Sequence, residues 1–102
     1  MAEIRWTYQA ADDPEAITSF IAADSSSYAM LFAIDLLAVV ERLLDFPFSG
    51  RVLPEFDDPA IREILFGNYR IIYRLKGDIA EILTVYHGAR LLDPARLTGN
   101  ED

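Results

Sequence analysis

Ile61-Arg62-Glu63-Ile64-Leu65-Phe66-Gly67-Asn68-Tyr69-Arg70-Ile71-Ile72-Tyr73-Arg74-Leu75-Lys76-Gly77-Asp78-Ile79-Ala80-Glu81-Ile82-Leu83-Thr84-Val85-Tyr86 is the stretch that decides the fold. β-Branched and aromatic residues fall into three runs, 61–66, 69–76 and 79–86, broken by Gly67-Asn68 and Gly77-Asp78. A two-residue, glycine-bearing break between such runs is a hairpin signal, although Gly67-Asn68 stands in the order opposite to the favoured Asn-Gly. The three runs read as an antiparallel meander.

Upstream the period changes. Ile4, Trp6 and Tyr8 alternate with Arg5, Thr7 and Gln9, which reads as a half-buried strand. Asp12-Asp13-Pro14-Glu15 reads as a helix start, with an aspartate cap, proline in the first turn and early acidic charge. Ala16, Ile17, Phe20, Ile21 and Ala23 follow at helical spacing, so a first helix is expected over 14–23. Ser25-Ser26-Ser27 breaks it, and one of these serines caps a second helix over 28–45. Phe46-Pro47-Phe48-Ser49-Gly50-Arg51 ends that helix, and a loop through Pro54, Asp57, Asp58 and Pro59 leads into the meander. The order β-α-α-β-β-β predicts an α+β domain in which two N-terminal helices pack on one face of a small, mainly antiparallel sheet. One domain is expected over 1–97, with 98–102 as a flexible tail.

Trp6, Tyr8, Phe20, Phe32 and Phe46 are expected in the core, whereas Phe48 and Phe66, at a loop and a strand end, are candidate anchors for a partner. The second helix is apolar around much of its circumference (Met30, Leu31, Phe32, Leu36, Val39, Val40). That exceeds what a two-layer domain of this size needs, and part of it is expected to bind an antitoxin or a second copy.

The 102 residues are 52% hydrophobic and hold no cysteine and one histidine, which excludes disulfides, thiolate chemistry and a histidine-rich metal site; no cofactor is expected. No run is long and apolar enough to span a bilayer, and the first residues have no signal-like core, so a cytoplasmic protein is expected. The net charge is −8. Residues 1–50 carry eight acids against Arg5 and Arg42, so nearly all the positive charge lies in the C-terminal half. Such a balance argues against direct DNA binding, which depends on basic residues displacing phosphate counterions.

Four segments in order resemble the ParE branch of the RelE/ParE toxin–antitoxin superfamily, known also as plasmid stabilisation proteins. Leu43-Leu44-Asp45-Phe46-Pro47-Phe48-Ser49-Gly50-Arg51 resembles the L-x-x-F-P-x-x-G-R segment ending the second helix of such toxins. Pro54-Glu55 with Arg62-Glu63, then Tyr69-Arg70-Ile71-Ile72-Tyr73-Arg74, are similar to the passages entering and forming their next strands. Ile82-Leu83-Thr84-Val85-Tyr86-His87-Gly88-Ala89-Arg90 is similar to their I-L-x-V-x-H-G-x-R ending. The resemblance covers about residues 4–92. It implies a toxin silenced by a cognate antitoxin, as a homo-dimer or a hetero-oligomer with it. For ParE-like members it implies inhibition of DNA gyrase; for RelE-like members, cleavage of messenger RNA on the ribosome.

Metal-free ribonuclease chemistry needs a base, cations for the phosphorane charge and an acid for the leaving oxygen. The resemblance to RelE-like enzymes implies that Arg70 and Arg90 match two of their arginines. The lysines of the second strand are missing, and no tyrosine follows Tyr86. His87 is the remaining acid–base candidate, because imidazole titrates near neutrality; its structural reading is a strand end bonded to nearby backbone. Glu55 or Glu63 as a base is a weaker option. Arg62, Arg70, Arg74 and Arg90, with Phe48 and Phe66, are the residues expected to bind antitoxin or target. The opposing reading pairs the arginines with Glu55, Glu63 or Glu81 within the sheet. Arg70 and Arg74 share a strand face, and Arg62 is expected across from them. A non-catalytic, gyrase-binding toxin is the expectation. A messenger-RNA endonuclease using Arg70, His87 and Arg90, and a non-toxic antitoxin partner or co-repressor, are its alternatives.

Overall fold

The turns dictate the meander. In the computed structural model, which describes residues 2–87, β3 (Ile61–Phe66), β4 (Tyr69–Lys76) and β5 (Ile79–His87) run antiparallel to one another. Gly67 and Gly77 have φ of 58° and 56°, and a Cβ at either would meet nothing within 4 Å. Backbone conformation, not space, therefore requires glycine there. Glycine at the first turn position suits a type II′ turn, whose twist matches a hairpin, so the order Gly67-Asn68 is itself a turn signal.

β1 (Glu3–Trp6) lies parallel to β5, with Ile4 opposite Ala80 and Trp6 opposite Ile82. At the other edge a two-residue strand, β2 (Arg51–Val52), pairs antiparallel with β3. The sheet order is β1-β5-β4-β3-β2. Helices α1 (Tyr8–Ala22) and α2 (Ser26–Glu41) cover one face, as expected, and their core joins Ala10, Phe32, Leu36 and Val40 to Ile71, Tyr73, Ile82 and Val85. A smaller cluster of Leu53, Ile72, Leu83 and Tyr86 lies on the opposite face, where the loop between β2 and β3 adds Phe56. The α+β reading holds, with a parallel strand at one edge.

The first helix begins at Tyr8, not Pro14. Thr7 caps it: its Oγ1 accepts from the Ala10 N–H at 3.1 Å and donates to the Leu83 carbonyl at 3.3 Å. Pro14 sits inside the helix, where it has no N–H to offer the Ala10 carbonyl. The Asp13 carboxylate turns instead to the sheet. β1 stops at Trp6, and beyond that point Asp13 accepts from the Thr84 hydroxyl at 2.8 Å and the Val85 N–H at 2.9 Å. Gln9 Nε2 donates to its other oxygen at 2.9 Å. A buried side chain thus stands where a neighbouring strand would satisfy β5.

Three residues expected in the core are on the surface: Tyr8 is 79% exposed, Phe20 78% and Phe46 64%. Tyr8 opens α1 rather than continuing the strand, so the period of two ends at Trp6. In α1 the inward positions are Ala10, Asp13, Ile17 and Ile21, which leaves Phe20 on the flank. Phe46 follows the point where α2, capped by Ser25, gives way at Glu41 to a 3-10 turn over Arg42–Leu44. Of the α2 surplus, Phe32, Leu36 and Val40 are buried, while Met30 and Leu31 are exposed. The expected tail at 98–102, and Arg90, lie outside the described residues.

Candidate functional site

Register sorts the arginines. Arg70 lies opposite Leu65 and Arg74 opposite Ile61, so Arg70, Ile72, Arg74 and Glu63 share the face turned away from the helices. Arg62 pairs with Tyr73 and therefore belongs to the helix side of the sheet, which corrects the expectation that it lies across from Arg70.

Glu63 is the hub beneath the sheet. Its side chain has no exposed surface, and its two oxygens are taken by Arg51 Nε and, at 2.6 Å, by Arg70 Nε. Arg70 reaches further: its two terminal nitrogens grip Glu55 at 2.9 and 3.0 Å, and Nη1 also donates to the Tyr86 hydroxyl at 2.9 Å. Its guanidinium carbon lies 5.6 Å from the Tyr86 ring centre. A guanidinium has five N–H groups, and four of those on Arg70 are engaged. The hydrogen bond to Arg70 holds the Glu55 carboxyl below its ordinary value, and in return Glu55 holds Arg70 still more firmly protonated. Arg74 closes on Glu81 at 2.8 Å, a carboxylate that Lys76 also approaches at 3.7 Å.

On the opposite side Arg62 ties the loop that leads into β3 to the 46–50 loop that leads into β2. It donates to the carbonyls of Pro59 (3.1 Å), Gly50 (2.9 Å) and Phe48 (3.4 Å), and lies 5.2 Å from the exposed Phe48 ring. Tyr73 pins the same loop from beneath. Its hydroxyl donates to the Pro47 carbonyl at 2.8 Å and accepts from the Gly50 N–H at 2.9 Å. A Cβ on Gly50 would come within 2.6 Å of that hydroxyl and 2.7 Å of the Glu63 carbonyl, so only glycine fits. Burial pushes the Tyr73 phenol up, and the Gly50 N–H partly opposes this.

His87 ends β5 opposite Tyr69, on the helix side, with its ring edge-on to Tyr69 at 5.4 Å. Arg70 and His87 border one cavity of about 580 Å³ at the hairpin end of the sheet, but the Arg70 guanidinium is directed onto Glu55, Glu63 and Tyr86. Phe66 packs on Phe32 at 5.3 Å and is part of the main core's edge. Among the described residues no three His, Cys, Asp or Glu side chains are grouped to hold a metal, and no helix is long and apolar enough to cross a membrane.

Residues 4–92 match the family described as "ParE toxin of type II toxin-antitoxin system, parDE". The chain belongs to the ParE toxin family. It is the toxin of a type II toxin–antitoxin pair, whose other member is an antitoxin. It is 29% identical over 92 residues to "Toxin RelE2" of Caulobacter vibrioides, covering 89% of this chain and 100% of that protein. Its fold is that of a chain in the "Chromosomal ParDE TA system from P. aeruginosa", at a TM-score of 0.71 and 23% identity, over 85% of this chain and 96% of that one.

In this ParE toxin the signature-like residues fold onto one another. Pro47, Gly50 and Arg51 meet Tyr73, Arg62 and Glu63; Arg70 meets Glu55. The acids that pair with Arg70 and Arg74 were legible in the sequence; Arg51 beside Glu63, Tyr86 beside Arg70, the Tyr73 hydroxyl beneath the 46–50 loop and the bond of Asp13 to β5 were not. One signal was available: Ile61, Glu63 and Leu65 alternate on one strand face, so Glu63 is a carboxylate set between apolar neighbours and needs a cation.

Proposed function

We propose that this ParE-family toxin acts in the cytoplasm by binding a protein target, DNA gyrase, without cutting RNA, and that its antitoxin holds it inactive by occupying its surface. One observation carries the reading: Arg70, the strand arginine that a ribonuclease would aim at phosphate, is already engaged by Glu55, Glu63 and Tyr86. Stabilising phosphorane charge needs donors preorganised toward the reacting phosphate. A guanidinium with four of its N–H groups committed to carboxylates and a phenol offers little to it. The choice of gyrase as target follows what the sequence resemblance to ParE-like toxins implies; the matched family supports the toxin role.

The rival reading, a ribosome-dependent messenger-RNA endonuclease, is favoured by the name of the Caulobacter relative. Purified toxin titrated into a gyrase supercoiling reaction, and in parallel into translating ribosomes carrying labelled messenger, separates the two. Loss of supercoiling with intact messenger supports gyrase binding. Cut messenger with normal supercoiling establishes the rival. If neither reaction responds, a non-toxic antitoxin partner or co-repressor takes its place.

A further inference from the structure

Among the described residues, one edge of the sheet is left partly open. β2 covers β3 only where Arg51 meets Glu63 and Val52 meets Arg62, yet β3 runs on to Phe66. The Leu53 N–H donates to the Ile61 carbonyl at 3.0 Å, so by alternation Ile61, Glu63 and Leu65 turn their backbone groups toward this edge. Those of Leu65 have no described strand beside them, and its side chain is 61% exposed. Backbone groups unpaired at a sheet edge are a template for an added strand.

A groove of about 580 Å³ follows this edge, lined by Val39, Arg42, Phe46, Arg51, Ile64 and Leu65. Arg70 and Arg74 are turned onto acids, but the two arginines here stay open. Arg42, exposed where α2 ends, forms no ion pair among the described residues. Arg51 gives its Nε to Glu63, and its side chain is 63% exposed. Glu63, the acid bordering the groove, is already held by Arg51 and Arg70, and the exposed Glu41 and Asp45 lie outside it. Pro47, Gly50 and Arg51 of the F-P-x-x-G-R segment have internal partners, whereas the Phe46 ring is left to solvent.

An open strand edge selects an extended backbone, two guanidinium groups select carboxylates, and Phe46 with Leu65 selects apolar side chains. Arg42 comes from the end of α2 on the helix side, while Arg51, across from Glu63, lies on the other. The matching acids therefore sit on opposite faces of the incoming strand. A second copy fits poorly, because pairing two such edges about a two-fold axis sets the arginines of one against those of the other. We infer that this edge docks an acidic, extended segment of the toxin's target protein. The inference rests on the reading of the chain as a toxin that acts by binding a protein.

The test uses the full chain and two peptides of six residues, the length of β3, with valine everywhere except the second and fifth positions. One carries glutamate there and the other lysine; positions three apart fall on opposite faces of a strand. Fluorescence anisotropy should show the glutamate peptide binding at least about tenfold tighter at low salt, with the gap narrowing as salt rises. Methylating alternate backbone amides of that peptide should weaken it far more in one of the two alternate sets, because only one set faces β3. The double variant Arg42→Ala/Phe46→Ser alters only exposed side chains, and its fold is checked by thermal unfolding. It should weaken both the glutamate peptide and purified, immobilised gyrase by about tenfold or more.

The inference is overturned if the lysine peptide binds as well, if neither peptide binds, or if the double variant holds gyrase as tightly as the parent chain. A single-stranded oligonucleotide that displaces the glutamate peptide at lower concentration than gyrase does would assign the arginines to nucleic acid. A dimer of the free chain that the double variant dissolves would assign the edge to a second copy. Either result also overturns it. If the parent chain ignores gyrase while the glutamate peptide still binds through Arg42 and Phe46, the gyrase reading fails and the docking edge stands.

Discussion

Replacing Arg70 by alanine tests whether the guanidinium is a strut or a contact. Its side chain is 11% exposed and that of Glu63 is fully buried, so the substitution leaves a buried carboxylate with Arg51 alone. Removing one partner of a buried ion pair costs about 3–5 kcal/mol. Arg51 still holds one Glu63 oxygen, which brings the expectation for Arg70→Ala down to about 2–4 kcal/mol. For 102 residues the unfolding entropy is about 0.2 kcal/mol/K, so the midpoint should fall by about 10–20 °C. Arg70→Leu combined with Glu63→Met removes both buried charges and leaves Arg51 (63% exposed) and Glu55 (41% exposed) to water. The double variant should therefore be at least about 1 kcal/mol more stable than Arg70→Ala. Urea unfolding at pH 7 reads all three proteins. An Arg70→Ala midpoint within about 0.5 kcal/mol of the parent, the range typical of ordinary surface positions, would refute the strut. Loss of toxicity with unchanged stability would make Arg70 a direct contact.

Tyr73→Phe leaves the Gly50 N–H without its acceptor and should cost about 1–3 kcal/mol in thermal unfolding; Gly50→Ala should cost at least as much, because the new methyl meets the Tyr73 hydroxyl and the Glu63 carbonyl. Asp13→Ala deprives the Thr84 hydroxyl and Val85 N–H of their acceptor, and about 2–4 kcal/mol should be lost; faster amide exchange at Val85 reports it locally, and equal protection in the variant would show that Asp13 does not complete the sheet edge. Arg70 lowers the folded-state pKa of Glu55 below its unfolded value, so the stability from this pair is full above the ordinary carboxylate pKa and drains as pH falls through the lowered one. Because Glu55 is 41% exposed, the effect should stay below about 1 kcal/mol; unfolding of Glu55→Gln between pH 7 and pH 3 should show a correspondingly shallower decline than the parent, and identical slopes would contradict the pairing.

The meander was legible because glycine-bearing breaks and β-branched runs are local signals, and its strands fall at 61–66, 69–76 and 79–87. The start of α1 was not. Asp12-Asp13-Pro14 has the residue types of a helix start, but Thr7 already caps the helix and the Asp13 carboxylate is drawn to β5, a partner 72 residues away in sequence. β2 has two residues and therefore no period to read, and its existence depends on the register of β3. The parallel pairing of β1 with β5 is equally non-local. At the site, sequence alternation placed Arg70 and Arg74 on one face, but the choice between a cationic groove and internal pairing depends on where the 53–60 loop brings Glu55. That depends on Leu53 and Phe56 packing under the sheet, which no local pattern encodes.

Inducing the chain in bacteria without its antitoxin separates a ParE-family toxin that acts by binding a protein from one that cuts RNA. Incorporation of labelled thymidine and labelled methionine is then followed over the first minutes. An early fall in thymidine incorporation, with DNA-damage signalling, is expected while methionine incorporation continues. An early fall in methionine incorporation, with thymidine unaffected, would contradict action by protein binding and assign the chain to messenger-RNA cleavage.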